Sequence, residues 1–260
     1  MWKSAMLVCI FGLCLLTQEA KAQGNPLNQS VNQGSRSRAK HLKGRGFNLP
    51  DFDNRPIHYG FFLALNYSSF SLKHSALFVQ GGQGPPGKPA FQSINPIGGP
   101  GFTTGFILNA RLHEVLDLRI LPTVAFYSRY VEFTYQGIPD SVDNQLNQST
   151  YAFLELPFLI KYKSQRRHNT RMYMIGGIKP SVEVGAKRDE IGNSYLRVNS
   201  SDLTLEYGFG FDFYYPLFKL SPEIRFSYGI NGMKYPDDNA YANNIRNFYT
   251  RTVTLYLNFE

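Results

Sequence analysis

Beyond its first 22 residues the 260-residue chain has no cysteine, because Cys9 and Cys14 both lie near the start. Disulfides, thiol catalysis and cysteine-based metal sites are therefore excluded from the remainder. Charge is scarce too, at 18% of residues, below the roughly one quarter usual for soluble domains. Beyond the start, no apolar run approaches the ~20 residues that a membrane-spanning helix needs. The mean hydropathy of −0.28 agrees. Tryptophan occurs once, yet Phe (21) and Tyr (17) bring aromatics to 15%. A moderately apolar, aromatic-rich chain without long apolar runs suits an all-β protein or a transmembrane β-barrel.

The start reads as an export signal, residues 1–22. Lys3 supplies the positive charge, Ala5–Leu16 the apolar run, and Ala20-Lys21-Ala22 the small residues that precede cleavage before Gln23. The run is too short to span as a helix. Neither cysteine stands where a lipid anchor needs it, so none is expected. Without Lys3, Lys21 and Glu19, 25 basic and 18 acidic residues remain, an excess of seven. In an exported chain this points to anionic lipid or a polyanionic partner, and no nucleic-acid partner is expected.

Residues 23–57 are polar, without apolar period, and carry the basic run Arg36, Arg38, Lys40, Lys43 and Arg45. They read as a flexible arm, either a spacer or a partner-binding tail. From His58 to the C-terminus, 58–260, strict alternation takes over. In Leu203–Tyr215 the odd positions are all Leu, Tyr or Phe, whereas the even ones include Glu206, Gly208, Gly210 and Asp212. Only period-two backbone separates these sets. The pattern recurs in His58–Ser69, Phe102–Leu112, Leu116–Val131, Tyr151–Lys163, Arg171–Lys187, Phe218–Ile230 and Tyr249–Phe259, which makes eight strands.

The gaps, near 70–101, 113–115, 132–150, 164–170, 188–201, 216–217 and 231–248, alternate long and short. A soluble lipocalin-like barrel has no reason for this order. Membrane barrels have it, with short periplasmic turns and long outer loops. The expected fold is thus all-β, an eight-stranded antiparallel up-and-down transmembrane β-barrel of outer-membrane type. Both termini are expected in the periplasm and the long loops outside. Gly60, Gly105, Gly208 and Gly210 suit the crowded interior of so small a barrel. Pro122, Pro157, Pro180 and Pro222 fall inside strands, where each deletes a ladder bond, so bulges or strand ends are expected there.

The inward face gathers Asp117, Glu155, Glu183, Glu206, Asp212 and Glu223 with Arg111, Arg119, Arg129, Lys161, Lys179, Lys187, Lys219 and Arg225. Buried charges must pair, so a structural ion-pair network is expected; the functional alternative is a narrow polar pore. Catalytic signals are poor. No two histidines lie closer than 16 residues, and His74 with Ser71 and Ser75 is the one arrangement a hydrolase could use. The glycines at 81, 82, 84 and 87 match no phosphate-binding loop and read as an outer loop. No enzyme activity, cofactor, metal or small-molecule ligand is expected.

Four stretches carry a family resemblance: NLPDFDNRPIHYGFFLALNYSSFSL (Asn48–Leu72), LDLRILPTVAFYSR (Leu116–Arg129), TYAFLELPFLIKYKSQR (Thr150–Arg166) and MYMIGGIKPSVEV (Met172–Val184). From Asn48 to its C-terminus the chain resembles the PorT (SprT) family of the type IX secretion and gliding machinery, most specifically in ELPFLIKYKS and the basic turn after it. The resemblance implies an outer-membrane barrel that serves export of proteins with C-terminal sorting domains. It implies outer-membrane lipid and other secretion-system components as partners, and neither cofactor nor catalytic residues. An adhesion barrel acting through its outer loops is the alternative. The chain ends Phe259-Glu260, whereas many barrels end on the aromatic itself.

Overall fold

The computed structural model describes residues 46, 48–82, 84–138, 142–143, 150–184, 199–234 and 240–260. The chain divides into two units, Met1–Gly46 and Phe47–Glu260. The start to residue 45, including the basic run, lies outside the described residues.

The second unit is a closed sheet. Its strands are β1 (Ile57–His74), β2 (Phe91–Arg111), β3 (Leu116–Ile120), β4 (Thr123–Tyr135), β5 (Val142–Asp143), β6 (Thr150–Glu155), β7 (Phe158–Lys163), β8 (Thr170–Val184), β9 (Ser201–Tyr214), β10 (Lys219–Gly229) and β11 (Ile245–Phe259). Two four-residue helices, α1 (Ala76–Val79) and α2 (Ala240–Asn243), lie in connections. β3 with β4, and β6 with β7, are the two halves of single spans, and β5 is a two-residue appendage on β4. Eight antiparallel spans result, each paired with its chain neighbours, and β11 closes on β1 through Phe61↔Phe259 to His74↔Ile245. Closure leaves no edge and pairs the backbone all round, which a lipid-facing sheet requires.

The faces fall as the alternation predicts. Outward Tyr59 is 72% exposed, Leu65 69%, Phe106 70% and Phe209 51%. Inward Arg119, Glu206, Asp212 and Arg225 are fully buried. An apolar surface this extensive is foreign to a water-soluble monomer and natural to a chain in lipid.

Three expectations change. First, β1, β2, β4 and β11 run past the boundaries drawn from alternation, so the first long gap, near 70–101, shrinks to residues 75–90 and includes α1. Beyond about Ser69 the polarity of the faces inverts: Phe70, Val131, Phe133 and Phe248 point inward while Lys73 and Arg251 point out. On their inner side these strand ends pack like those of a soluble barrel. Register slips of the kind a bulge makes occur here, between Phe91 and Ser93 and between Gly98 and Phe102, within the segment expected to be a loop.

Second, the strand ends expected at the prolines occur at two of the four. Pro122 and Pro157 interrupt their spans, but burial keeps alternating through both breaks. Pro180 and Pro222 sit within β8 and β10, although Ser221 and Pro222 drop out of the pairing with β9. Phe106 donates to the Pro122 carbonyl (3.1 Å), Leu121 to that of Pro157 (3.2 Å) and Leu156 to that of Pro180 (3.0 Å). Each proline loses its donor and keeps its acceptor, so half of each exchange survives.

Third, the segment expected to form the end of the arm is structured from residue 48. Phe52–Asn54 form a 3-10 turn. Phe52 stacks on His58 (4.3 Å between centroids), and Asn48 is held by Asn169 and Tyr214. No periodicity could signal this contact, because its partners lie 121 and 166 positions away.

Candidate functional site

The barrel interior gathers most of the chain's unusual chemistry. At the end of the short turns, Asp53 accepts two hydrogen bonds from the Arg171 guanidinium, both 2.9 Å, and one from the Tyr214 hydroxyl (3.0 Å). Arg166 lies 3.6 Å from the same carboxylate and stacks over the Tyr214 ring, while Arg111 donates to the Asp53 carbonyl. Burial alone would raise the Asp53 carboxyl, but the Arg171 guanidinium outweighs it and holds the group below its ordinary value. Residues 48–56 thus plug this mouth.

Above the plug, charges interlock across strands. Lys163 pairs with Asp117 (2.5 Å), to which Asn109 also donates (3.0 Å). Lys161 pairs with Asp212 (2.8 Å), which also accepts from Ser221 (2.6 Å). Arg119 bridges Glu260 (2.6 Å) and Glu223 (3.4 Å), and Lys219 holds the other oxygen of Glu260 (2.8 Å). Arg225 donates to Glu223 and lies 3.6 Å from Glu206. Tyr173 donates to Glu223 (2.6 Å). Higher still, Lys179 lies between Glu155 (3.3 Å) and Glu206 (3.9 Å), and Tyr127 donates to Glu155 (2.7 Å). Arg129 donates to Ser68 (2.7 Å) and stacks on Tyr127 (4.5 Å).

Cations Arg119, Arg129, Lys161, Lys163, Lys179, Lys219 and Arg225 meet anions Asp117, Glu155, Asp202, Glu206, Asp212, Glu223 and Glu260, so this part of the lumen is electrically balanced. Charges so deep persist only when paired and hydrogen-bonded. Of the remaining candidates, Glu183 sits half-buried near the far end of β8, joined to Ser200 through its amide (2.7 Å). Lys187 lies outside the described residues.

A small polar cavity opens above Lys179, lined by Tyr127, Arg129, Phe153, Glu155, Lys179, Ser181, Asp202, Thr204, Thr250 and Thr252. Over it an apolar lid closes the loop end: Phe70, Phe91, Ile94, Val131, Phe133, Tyr135, Met233, Tyr241, Ala242, Ile245 and Phe248, with Phe78 of α1 packed against them. Tyr135 and Tyr241 share a hydrogen bond (3.1 Å) at its centre. Plug, ion pairs and lid follow one another along the lumen among the described residues.

The His74 arrangement does not assemble. His74 stacks on Phe78 (4.6 Å), Ser75 caps α1 by accepting from the Phe78 amide (3.4 Å), and Ser71 points outward on β1. Among the described residues no three His, Asp or Glu side chains converge as metal ligands.

Sequence reasoning missed Asp53, Lys163, Asp202 and Glu260 as network members. Lys163 and Asp202 continue the inward parity of Lys161 and Thr204, so parity alone would have found Lys163 inside its strand, and one further step would have found Asp202. Glu260, noted only as a departure at the terminus, is a buried anion held by two cations. Asp53 carries no periodic signal.

Residues 29–235 match a family model described as an outer membrane protein beta-barrel domain. No curated protein matches. Among solved structures, Neisserial surface protein A is similar at 11% identity over 78% of this chain and 98% of that one (TM-score 0.41). OprG from Pseudomonas aeruginosa is similar at 12% over 77% and 94% (0.40). Ail, the attachment invasion locus protein of Yersinia pestis, is similar at 12% over 77% and 96% (0.30).

Proposed function

The chain belongs to the outer membrane protein beta-barrel domain family, and from that premise we propose that it is a sealed, non-enzymatic scaffold barrel serving type IX protein secretion. In this reading the short turns and both termini face the periplasm and the long loops face outward. The basic run Arg36–Arg45 serves as a binding segment for other components of the secretion system.

One observation carries the reading. The stretches that resemble the PorT family also build the interior. Asn48–Leu72 supplies the Asp53 plug and His58, and Leu116–Arg129 supplies Asp117, Arg119 and Arg129. Thr150–Arg166 supplies Glu155, Lys161, Lys163 and Arg166, and Met172–Val184 supplies Tyr173 and Lys179. A lumen occupied by its own ion pairs suits a rigid mount better than a conduit. The eight spans then act by holding the turns at fixed spacing.

Deleting the gene is expected to strand cargo bearing C-terminal sorting domains in the periplasm; normal secretion by the deletant contradicts the assignment. Adhesion through the loops is the second reading, favoured by the apolar tip of α1, where Val79 is 80% exposed. Under it, removing residues 75–90 abolishes attachment and leaves secretion intact.

A further inference from the structure

On the outer surface, β1, β10 and β11 place two cations and two tyrosines in one continuous stack. Lys73 Nζ lies 4.8 Å from the Tyr249 ring centroid. Tyr249 stacks on Tyr228 with centroids 6.2 Å apart and planes within 11°. The Arg251 guanidinium lies 5.5 Å from the Tyr228 ring. All four side chains point away from the lumen. On β1 the small side chains of Ser69 and Ser71 stand opposite Arg251 and Tyr249, beside the stack.

The position of this stack narrows its ligand. The outward side of β1 is apolar from Ile57 to Tyr67. Ten residue steps at about 3.4 Å rise and ~40° tilt span roughly 26 Å, the height of one hydrocarbon band. Ser69 is the next outward residue, and Arg251 sits directly opposite it. The stack therefore begins where the hydrocarbon ends, at the depth of lipid headgroups. Neither Lys73 nor Arg251 pairs with a carboxylate among the described residues; each makes only its contact with a ring. Two cations held on aromatic faces at headgroup depth, without a counter-anion among the described residues, have the chemistry of a phosphate clamp.

We propose that Lys73, Tyr249, Tyr228 and Arg251 form a binding site for a phosphorylated glycolipid headgroup of the outer leaflet. This rests on the reading that the loop end faces outward. A bound lipid there would tie the barrel to its leaflet and fix its rotation about the membrane normal.

The full exported chain, purified in detergent micelles, is titrated with diphosphorylated lipid A, dephosphorylated lipid A, phosphatidylglycerol and inorganic phosphate. Diphosphorylated lipid A is expected to bind tightest. In the Lys73→Ser/Arg251→Ser double variant its affinity is expected to fall by about tenfold or more, from the loss of two charge-assisted contacts. Both positions are exposed and pair with no carboxylate among the described residues, so heat-modifiable migration of the folded barrel should not change. Undiminished binding by the double variant overturns the site. So does equal affinity of the unaltered protein for the dephosphorylated lipid, a comparison that needs no variant. Equal binding of phosphatidylglycerol or inorganic phosphate overturns the choice of ligand. Orientation is read separately, from labelling of a Val79→Cys variant on intact cells with a membrane-impermeant maleimide. Labelled cells with failed lipid discrimination reject this inference alone. Unlabelled cells reject the loop-out orientation and the inference with it.

Discussion

Arg119 shows how the interior is held. Its guanidinium is fully buried and reaches two carboxylates from distant parts of the chain, Glu223 and Glu260. Arg119→Met should leave those anions short of a partner, at a cost of about 3–5 kcal/mol, the range for breaking a buried pair from one side. The urea midpoint of the refolded barrel is then expected to drop, and adding Glu260→Gln should restore part of the loss. Asp53 supplies the pH test. Its carboxyl is held below the ordinary value of 3.8 by Arg171. A depressed acid stabilises the folded form above 3.8, and that contribution disappears as pH falls through the lower value of the folded state. A spin label on a Pro50→Cys variant is therefore expected to keep constant mobility from pH 8 to 5 and to loosen only below 3.8. Asp53→Asn should loosen it already at neutral pH. Most of the network's acidic and basic members were legible in the sequence because charge and parity coincide on the inward face. Asp53 was not, because its partners Arg171 and Tyr214 are distant in sequence and its own segment has no period.

At the scale of the strand, alternation reports the solvent on each face and not the hydrogen bonding. It was easy to read in Leu203–Tyr215, where lipid and lumen differ most. It failed at residues 91–101, where Pro96, Pro100 and three glycines obscure a strand that nonetheless pairs with both neighbours. It failed again past Ser69 and Arg129, where the faces exchange polarity. The prolines make a second test. Pro157 lacks only a donor toward a neighbour whose amide already bonds to its carbonyl. Pro157→Ala is expected to shift the unfolding free energy by no more than about 1.5 kcal/mol, the worth of one ladder bond. Gly210 is a different case. A Cβ there would sit 2.5 Å from the Tyr173 hydroxyl and 2.8 Å from the Pro222 carbonyl. Gly210→Val should displace Tyr173 from Glu223 and abolish the heat-modifiable gel shift, whereas Pro157→Ala keeps it.

At the scale of the molecule, three devices line up in one tube: the 48–56 plug, the balanced ion pairs and the aromatic lid. Reconstituted in planar bilayers, the barrel is expected to give no stepwise conductance above the bare membrane; regular steps would contradict a sealed lumen. Strand number, facing and the turn-side connections were all legible in sequence. The plug and lid were not, since each is assembled from remote segments whose meeting has no local signature. The orientation of the wall underlies everything else, and a spin label in place of Phe209 in lipid bilayers tests it most directly. Facing outward between β8 and β10, the label should collide readily with dissolved oxygen and weakly with a water-soluble nickel chelate. An immobile label shielded from both reagents would place Phe209 inside, and an outward-facing aromatic wall could not stand.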